Sequence, residues 1–294
     1  MIQKVDLGVG NAAGFPSQVV LFGMGRLGGA LLQGWRAAGL DLSGWVAVDP
    51  LASAADALPR VVQHSAASGA LGSFGAAIVA VKPGDVPTVV RQARPLLSGQ
   101  ATLVSVAAGV SLDGLEEAAG LMDVVRAMPN LAASERASVT FLCAGPRCRP
   151  EALDRVVQLF AAVGSVHVLA DEDGMHVATA VGGSGPALVY RFLEALRDAA
   201  RRNGMEADTA ERIVVDMTSG ALALARVEAS LAVLREGVTS PRGTTAAALE
   251  FLGRDGLLDQ LLLDAVAAAK ARSRELAKPS PAGSDRTAGA GQER

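Results

Sequence analysis

An apolar run, Gln18-Val-Val-Leu-Phe22, passes directly into Gly23-Met24-Gly25-Arg26-Leu27-Gly28 and then into a helical stripe of Leu27, Ala30, Leu31, Gly34 and Ala38. Strand, glycine loop and helix in this order leave few folds open. The first glycine makes a tight turn, the second lets backbone amides approach a phosphate, and the third packs helix on strand. The phosphate then meets the positive end of the helix. Gly23, Met24, Gly25, Arg26, Leu27 and Gly28 are therefore expected to hold the pyrophosphate of a dinucleotide. A tight turn with no ligand is the competing reading, which the surrounding strand–helix rhythm disfavours. Arg26 fits two roles, a phosphate contact or a solvated helix-start residue.

The same rhythm recurs downstream. Trp45–Val48 is closed by Asp49-Pro50, Ala76–Val81 by Lys82-Pro83-Gly84, and Thr102–Val106 by Ala107-Ala108-Gly109. Helices are expected over 26–38, 86–94 and from a Ser111 cap to Glu117. Val139–Cys143, a helix over 150–162 and Ser165–Leu169 complete the pattern. The alternation predicts an α/β domain over 18–170, a Rossmann-like doubly wound parallel sheet with helices on both faces. From Asp171 onward only helical patterns appear, over 186–202, 208–227, 244–252 and 256–276. Their apolar faces are too wide for one small helical layer, so 171–276 is expected to be an all-α domain that buries them in a dimer. Residues 1–17 read as a flexible extension with no signal-peptide core. Residues 277–294, rich in Pro, Ser, Gly and charge, read as a disordered tail.

Composition removes several classes. A net charge of −3 offers no basic field for nucleic acid, and 3% aromatic residues cannot stack many bases. No stretch reaches the ~18 apolar residues of a membrane span. The three histidines are scattered and the two cysteines, Cys143 and Cys148, lack zinc spacing, so no metal is expected. Cys143 reads as a core residue of a reduced, cytoplasmic protein. Asp49, ending the second strand, can accept hydrogen bonds from the adenosine ribose and would repel a 2′-phosphate, which favours NADH over NADPH. A turn-capping role for Asp49 stays open.

Five blocks then fall in one order: Ala80-Val-Lys-Pro83, Ser105-Val-Ala-Ala-Gly-Val110, Val125-Arg-Ala-Met-Pro-Asn130, Gly183-Ser-Gly-Pro-Ala187 and Val238-Thr-Ser-Pro-Arg-Gly-Thr-Thr245. In this order the chain, from Val19 to Leu276, resembles the pyrroline-5-carboxylate reductase family. The resemblance implies reduction of the cyclic imine 1-pyrroline-5-carboxylate to L-proline with NADPH or NADH. It implies a homodimer through the C-terminal helices, with rings of dimers as a further assembly.

The resemblance also distributes roles. Ala80, Val81, Lys82, Pro83 and Ala108 lie along the cofactor, chiefly its nicotinamide half. Ser240, Gly243, Thr244 and Thr245 line the substrate carboxylate and ring, and Glu172 matches an acidic position near that ring. Thr245 matches the threonine beside the imine nitrogen, as the catalytic candidate. Bottom-up, Ser240–Thr245 is a turn entering a helix, whose amides can bind an anion. A helix cap is the plainer reading of the same Ser/Thr pattern. Lys82 fits cofactor positioning or a surface strand-end charge, and Asn130 a cleft-shaping bond or a plain turn.

The chain departs from the family pattern near these positions. Arg26-Leu27 stand where the family loop has Asn-Met, Arg242 where its turn has glycine, and Leu131-Ala132 where Thr-Pro is common. Gly182 and Leu188 replace a serine and an aromatic residue around the Gly183–Ala187 block. Two other readings therefore stay open: a reductase of a different cyclic imino acid, its extra carboxylate met by Arg242, and a catalytically weak dimeric sensor of NAD(P)H. A β-hydroxyacid dehydrogenase is disfavoured, because Asp171–Ala269 holds no lysine.

Overall fold

The computed structural model describes residues 3–5, 14–49, 61–62, 73–227 and 230–277. Two compact units emerge, Met1–His176 with Ala271–Arg294, and Val177–Lys270. The division falls at His176 instead of at 170, and the last turns of the final helix count with the first unit.

The first unit contains β1 (Gln3–Val5), β2 (Val19–Phe22), α1 (Arg26–Ala37), β3 (Trp45–Val48), β4 (Val61–Val62) and β5 (Phe74–Val79). It continues with α2 (Val86–Ala93), β6 (Leu97–Ser105), α3 (Leu112–Ala119), β7 (Asp123–Met128), β8 (Ser138–Ala144), α4 (Pro150–Ala161), β9 (Gly164–Val168) and most of α5 (Asp173–Ala178). The strands form one nine-stranded sheet in the order β1-β9-β8-β7-β6-β5-β2-β3-β4. From β4 to β7 all neighbours run parallel. The order reverses beside β2, whose neighbours are β3 and β5. A doubly wound sheet opens its ligand crevice at such a switch point.

The sheet differs from the all-parallel expectation at two places. β7 and β8 pair antiparallel because only a short 3-10 turn, Leu131–Glu135, joins them. A parallel partner would need a crossover of a dozen or more residues. β1 pairs antiparallel with β9, Gln3 opposite Val168. Part of the expected flexible extension thus serves as an edge strand, while residues 6–13 and the tail from 278 lie outside the described residues.

β2, β3, β5 and the end of β6 are buried on both faces, as parallel strands under two helical layers must be. One core face gathers Leu31, Leu32, Trp35, Trp45 and Phe160. Trp35 stacks edge-on to Phe160 at 5.7 Å and donates its indole N–H to the Leu159 carbonyl at 2.9 Å. Cys143 and Cys148 are both free, and burial pushes each thiol up to about 11.

The second unit contains a π turn (Thr179–Gly183), α6 (Gly185–Arg202), α7 (Ala207–Val227), α8 (Leu231–Gly237), α9 (Thr244–Leu252) and most of α10 (Leu257–Ala277). Among its described residues the apolar side chains Tyr190, Phe192, Met217, Leu224 and Leu261 are exposed. Faces of this size are what an oligomer interface covers. No helix among the described residues is long and apolar enough to cross a membrane.

The packing of α1 on the 131–135 turn depends on Gly34. A β-carbon there would run into the Ala133 carbonyl oxygen and lie 2.9 Å from Val163 Cγ1. Gly34→Ala should destabilise the protein by about 1–3 kcal/mol, the usual range for overpacking a rigid contact. Urea unfolding of both proteins measures this, and an unchanged midpoint would contradict the contact.

Candidate active site

The site starts from strand register. Phe22 is level with Val48 and with Val79, and Val79 is level with Ser105. Gly23, Asp49, Ala80 and Val106 therefore leave the sheet at one height, at its C-terminal edge. Backbone bonds carry this alignment just past the strands. Gly23 N–H donates to the Val48 carbonyl at 3.0 Å, and Val106 N–H to the Val79 carbonyl at 2.9 Å.

Two of the three loop glycines are required by close backbone approaches. Gly23 has φ +95, and a β-carbon there would sit 2.7 Å from the Ala80 carbonyl oxygen. A β-carbon on Gly28 would collide with the Gly23 carbonyl and lie 3.4 Å from Ala80 Cβ. Gly25 faces open space, with nothing within 4 Å of the same position. It is also the N-cap of α1, with no side-chain cap. The Arg26, Leu27 and Gly28 amides head the helix without intrahelical partners, as all first-turn amides do. Uncapped amides beside a bare glycine fit the pyrophosphate of a dinucleotide. Arg26 is exposed, and an open groove of about 530 Å³ lined by Met24, Gly25, Arg26, Gln33, Leu131 and Ser134 flanks the loop.

Asp49 does something that its spacing did not reveal. Its Oδ2 accepts the Met24 amide at 2.6 Å, so the carboxylate fixes the glycine loop from the end of β3. Along the same edge, Ala80 N–H donates to the Phe22 carbonyl at 2.7 Å. Lys82 is exposed and precedes the short turn Pro83–Asp85. Ala108 is partly buried, after Ala107, whose amide donates to Ser105 Oγ at 3.4 Å. Asn130 caps the 131–135 turn, its Oδ1 accepting from Ala132 N–H at 3.1 Å.

Glu172 is engaged by two partners. Its Oε1 takes the Arg126 guanidinium at 2.6 Å and the Leu112 amide at 2.8 Å. Arg126 is a buried cation in the middle of β7, and reading the sequence for site residues missed it. The available signal was a charge inside the apolar run Val124–Met128. Nothing in spacing connects it to a carboxylate on another element.

The turn Ser240–Thr245 lies in the second unit. The Ser240 carbonyl accepts from Gly243 N–H at 3.0 Å, and Gly243 is the N-cap of α9, with no side-chain cap. The Ser/Thr hydroxyls are thus not spent on capping, and the Thr244, Thr245 and Ala246 amides head α9 without intrahelical partners. Arg242 is exposed and holds φ +60, the left-handed region.

Comparisons with known proteins agree along the chain. Residues 172–276 match the family model for pyrroline-5-carboxylate reductase dimerisation, and residues 18–109 match the NADP oxidoreductase, coenzyme F420-dependent model. A pyrroline-5-carboxylate reductase of Pseudomonas aeruginosa is 33% identical, over 89% of this chain and 97% of its own. The chain belongs to the pyrroline-5-carboxylate reductase family. The reductase of Mycobacterium tuberculosis is 35% identical, over 88% and 97%. The solved Coxiella burnetii reductase is 30% identical with a TM-score of 0.81, covering 89% and 99%. A Plasmodium falciparum pyrroline carboxylate reductase solved with NADP bound is 25% identical with a TM-score of 0.78, covering 89% and 98%.

Arg242 stands in a backbone conformation that favours glycine. An L-residue in the left-handed region costs ~1–2 kcal/mol, while glycine gains up to ~1 kcal/mol of unfolded-state freedom. Arg242→Gly should therefore stabilise the protein by about 0.5–1 kcal/mol in chemical unfolding. A loss of stability would mean that the side chain makes compensating contacts.

Proposed function

We propose that the chain reduces 1-pyrroline-5-carboxylate to L-proline at the expense of NADH or NADPH. The observation that carries this reading is the uncapped start of α9, with Ser240, Thr244 and Thr245 around it. A small anionic ring needs a carboxylate receptor and a hydroxyl near its nitrogen. First-turn amides supply the receptor without a cationic side chain. Family membership and the aligned glycine loop support the redox half.

When bound, the reduced nicotinamide supplies a hydride to the imine carbon. The residues of the chain orient and exclude water. In this reading Gly23–Gly28 hold the pyrophosphate, and Ala80, Val81, Lys82, Pro83 and Ala108 border the nicotinamide half. Ser240, Gly243 and Thr244 hold the carboxylate, and Thr245 Oγ1 orients the ring nitrogen. The nitrogen takes its proton from water or arrives protonated, since a threonine hydroxyl is too weak an acid to be the source. Such orientation can supply ~7–11 kcal/mol of the barrier. Glu172 contributes less than its position by resemblance implies, because Oε1 is committed to Arg126 and the Leu112 amide.

The working unit is a homodimer through 172–276, which covers the exposed apolar faces, with a ring of dimers as a further assembly. Two free thiols suit a reducing compartment, the cytoplasm. Asp49 places a carboxylate at the ribose corner and favours NADH, because a 2′-phosphate there would face like charge.

Wild-type protein should oxidise NADH when given pyrroline-5-carboxylate, and Thr245→Ala should lower kcat about tenfold, ~1.4 kcal/mol, with dinucleotide Kd unchanged. Turnover only with a larger, dicarboxylic imine would replace this substrate and point to Arg242. NADH should outperform NADPH in kcat/KM, and Asp49→Ser should shift that ratio toward NADPH about tenfold or more. The same ratio in both proteins would remove Asp49 from cofactor choice.

A further inference from the structure

We propose that the last turns of α10 position the loop Ala107–Gly109 against the cofactor, with Gly109, His176 and Ser273 as positioning residues. The proposal rests on the reading that Ala108 borders the nicotinamide half.

Three contacts hold the end of α10 within the first unit. Leu276 lies so close to Gly109 that a β-carbon on the glycine would be 2.9 Å from Leu276 Cβ and 3.0 Å from its carbonyl oxygen. Ser273, only 4% exposed, shares a hydrogen bond with His176 Nδ1 at 3.0 Å. Arg274 pairs with Asp173 at 2.7 Å. A buried hydroxyl needs a partner, so the His176–Ser273 bond holds the helix where Leu276 meets the loop. Burial, then Arg126 and Arg274, lower the His176 pKa, which favours the neutral ring that can either donate to or accept from the hydroxyl.

The flanks of the loop are fixed separately. On one side Val106 N–H donates to the Val79 carbonyl. On the other, Leu112 N–H donates to Glu172, itself held by Arg126. The span between has a glycine at φ +77 and no strand pairing of its own, and α10 is the element that presses on it. The match to the dimerisation family ends at residue 276, the residue seated on Gly109. The segment that builds the dimer therefore finishes on the cofactor loop. Close packing transmits displacements of a few tenths of an ångström, so a shift of α10 moves Ala108.

Gly120 provides the control. It has φ +76, but a β-carbon there meets only the guanidinium of Arg94, at 3.1 Å. Gly109→Ala and Gly120→Ala in the full chain thus both force an L-residue to positive φ. Dinucleotide Kd is measured by fluorescence titration with NADH and NADPH, beside melting midpoints. Both variants should melt earlier, and only Gly109→Ala should weaken dinucleotide binding, about tenfold. His176→Leu should weaken it several-fold, whereas His176→Asn, which keeps a polar group at the Nδ1 position, should restore it.

Wild-type protein that binds while Gly109→Ala binds equally well overturns this proposal alone. Wild-type protein that binds neither dinucleotide overturns the cofactor reading and this proposal with it. If Gly109→Ala fails to fold, the His176 pair decides, and equal Kd for Leu and Asn overturns the proposal.

Discussion

Gly28 lies where no β-carbon fits, against the carbonyl of Gly23 and the methyl of Ala80. That approach lets α1 start immediately above β2 and β5. Its consequence is geometric. The helix start, the end of β3 with Asp49 and the ends of β5 and β6 share one level, so a long ligand can lie across them without a gap. The strand register that supports this comes from four short apolar runs, each buried on both faces. No side chain of the loop has to bind anything for the arrangement to form, since backbone amides and the absence of a β-carbon do the work.

Much of this was legible because periodicity and glycine placement are local signals. β2, α1, β3, α2 and α9 fall within one or two residues of their sequence patterns. β7 was not legible as a strand, because Asp123 and Arg126 break its apolar run. Both are buried, and both find their charge partner far along the chain, Asp123 in Arg149 and Arg126 in Glu172. Pairings of that range leave no trace in spacing. β1 escaped for a different reason. Three residues with no apolar run say nothing until β9 offers an edge.

The site residues divide in the same way. The glycine loop could be read from its own letters. The bond from Met24 to Asp49 could not, because the carboxylate was assigned a ligand partner, and a backbone amide in the loop is an equally good donor. At Ser240–Thr245 the Ser/Thr pattern suggested a side-chain cap. The turn instead uses the Ser240 carbonyl to receive Gly243, and the hydroxyls stay available. Arg242 keeps a left-handed backbone where glycine would be relaxed. The turn shape thus survives without the residue that suits it best, so the shape is imposed by its surroundings.

The two thiols carry a practical consequence. Burial holds both Cys143 and Cys148 near 11, and nucleophilic attack by cysteine requires the thiolate. At neutral pH both thiols are therefore slow toward maleimides and iodoacetamide, and the buried Cys143 is shielded as well, whereas Cys148 is only partly buried. Site-specific attachment of a dye or spin label would need Cys148 replaced, with the buried Cys143 left in place.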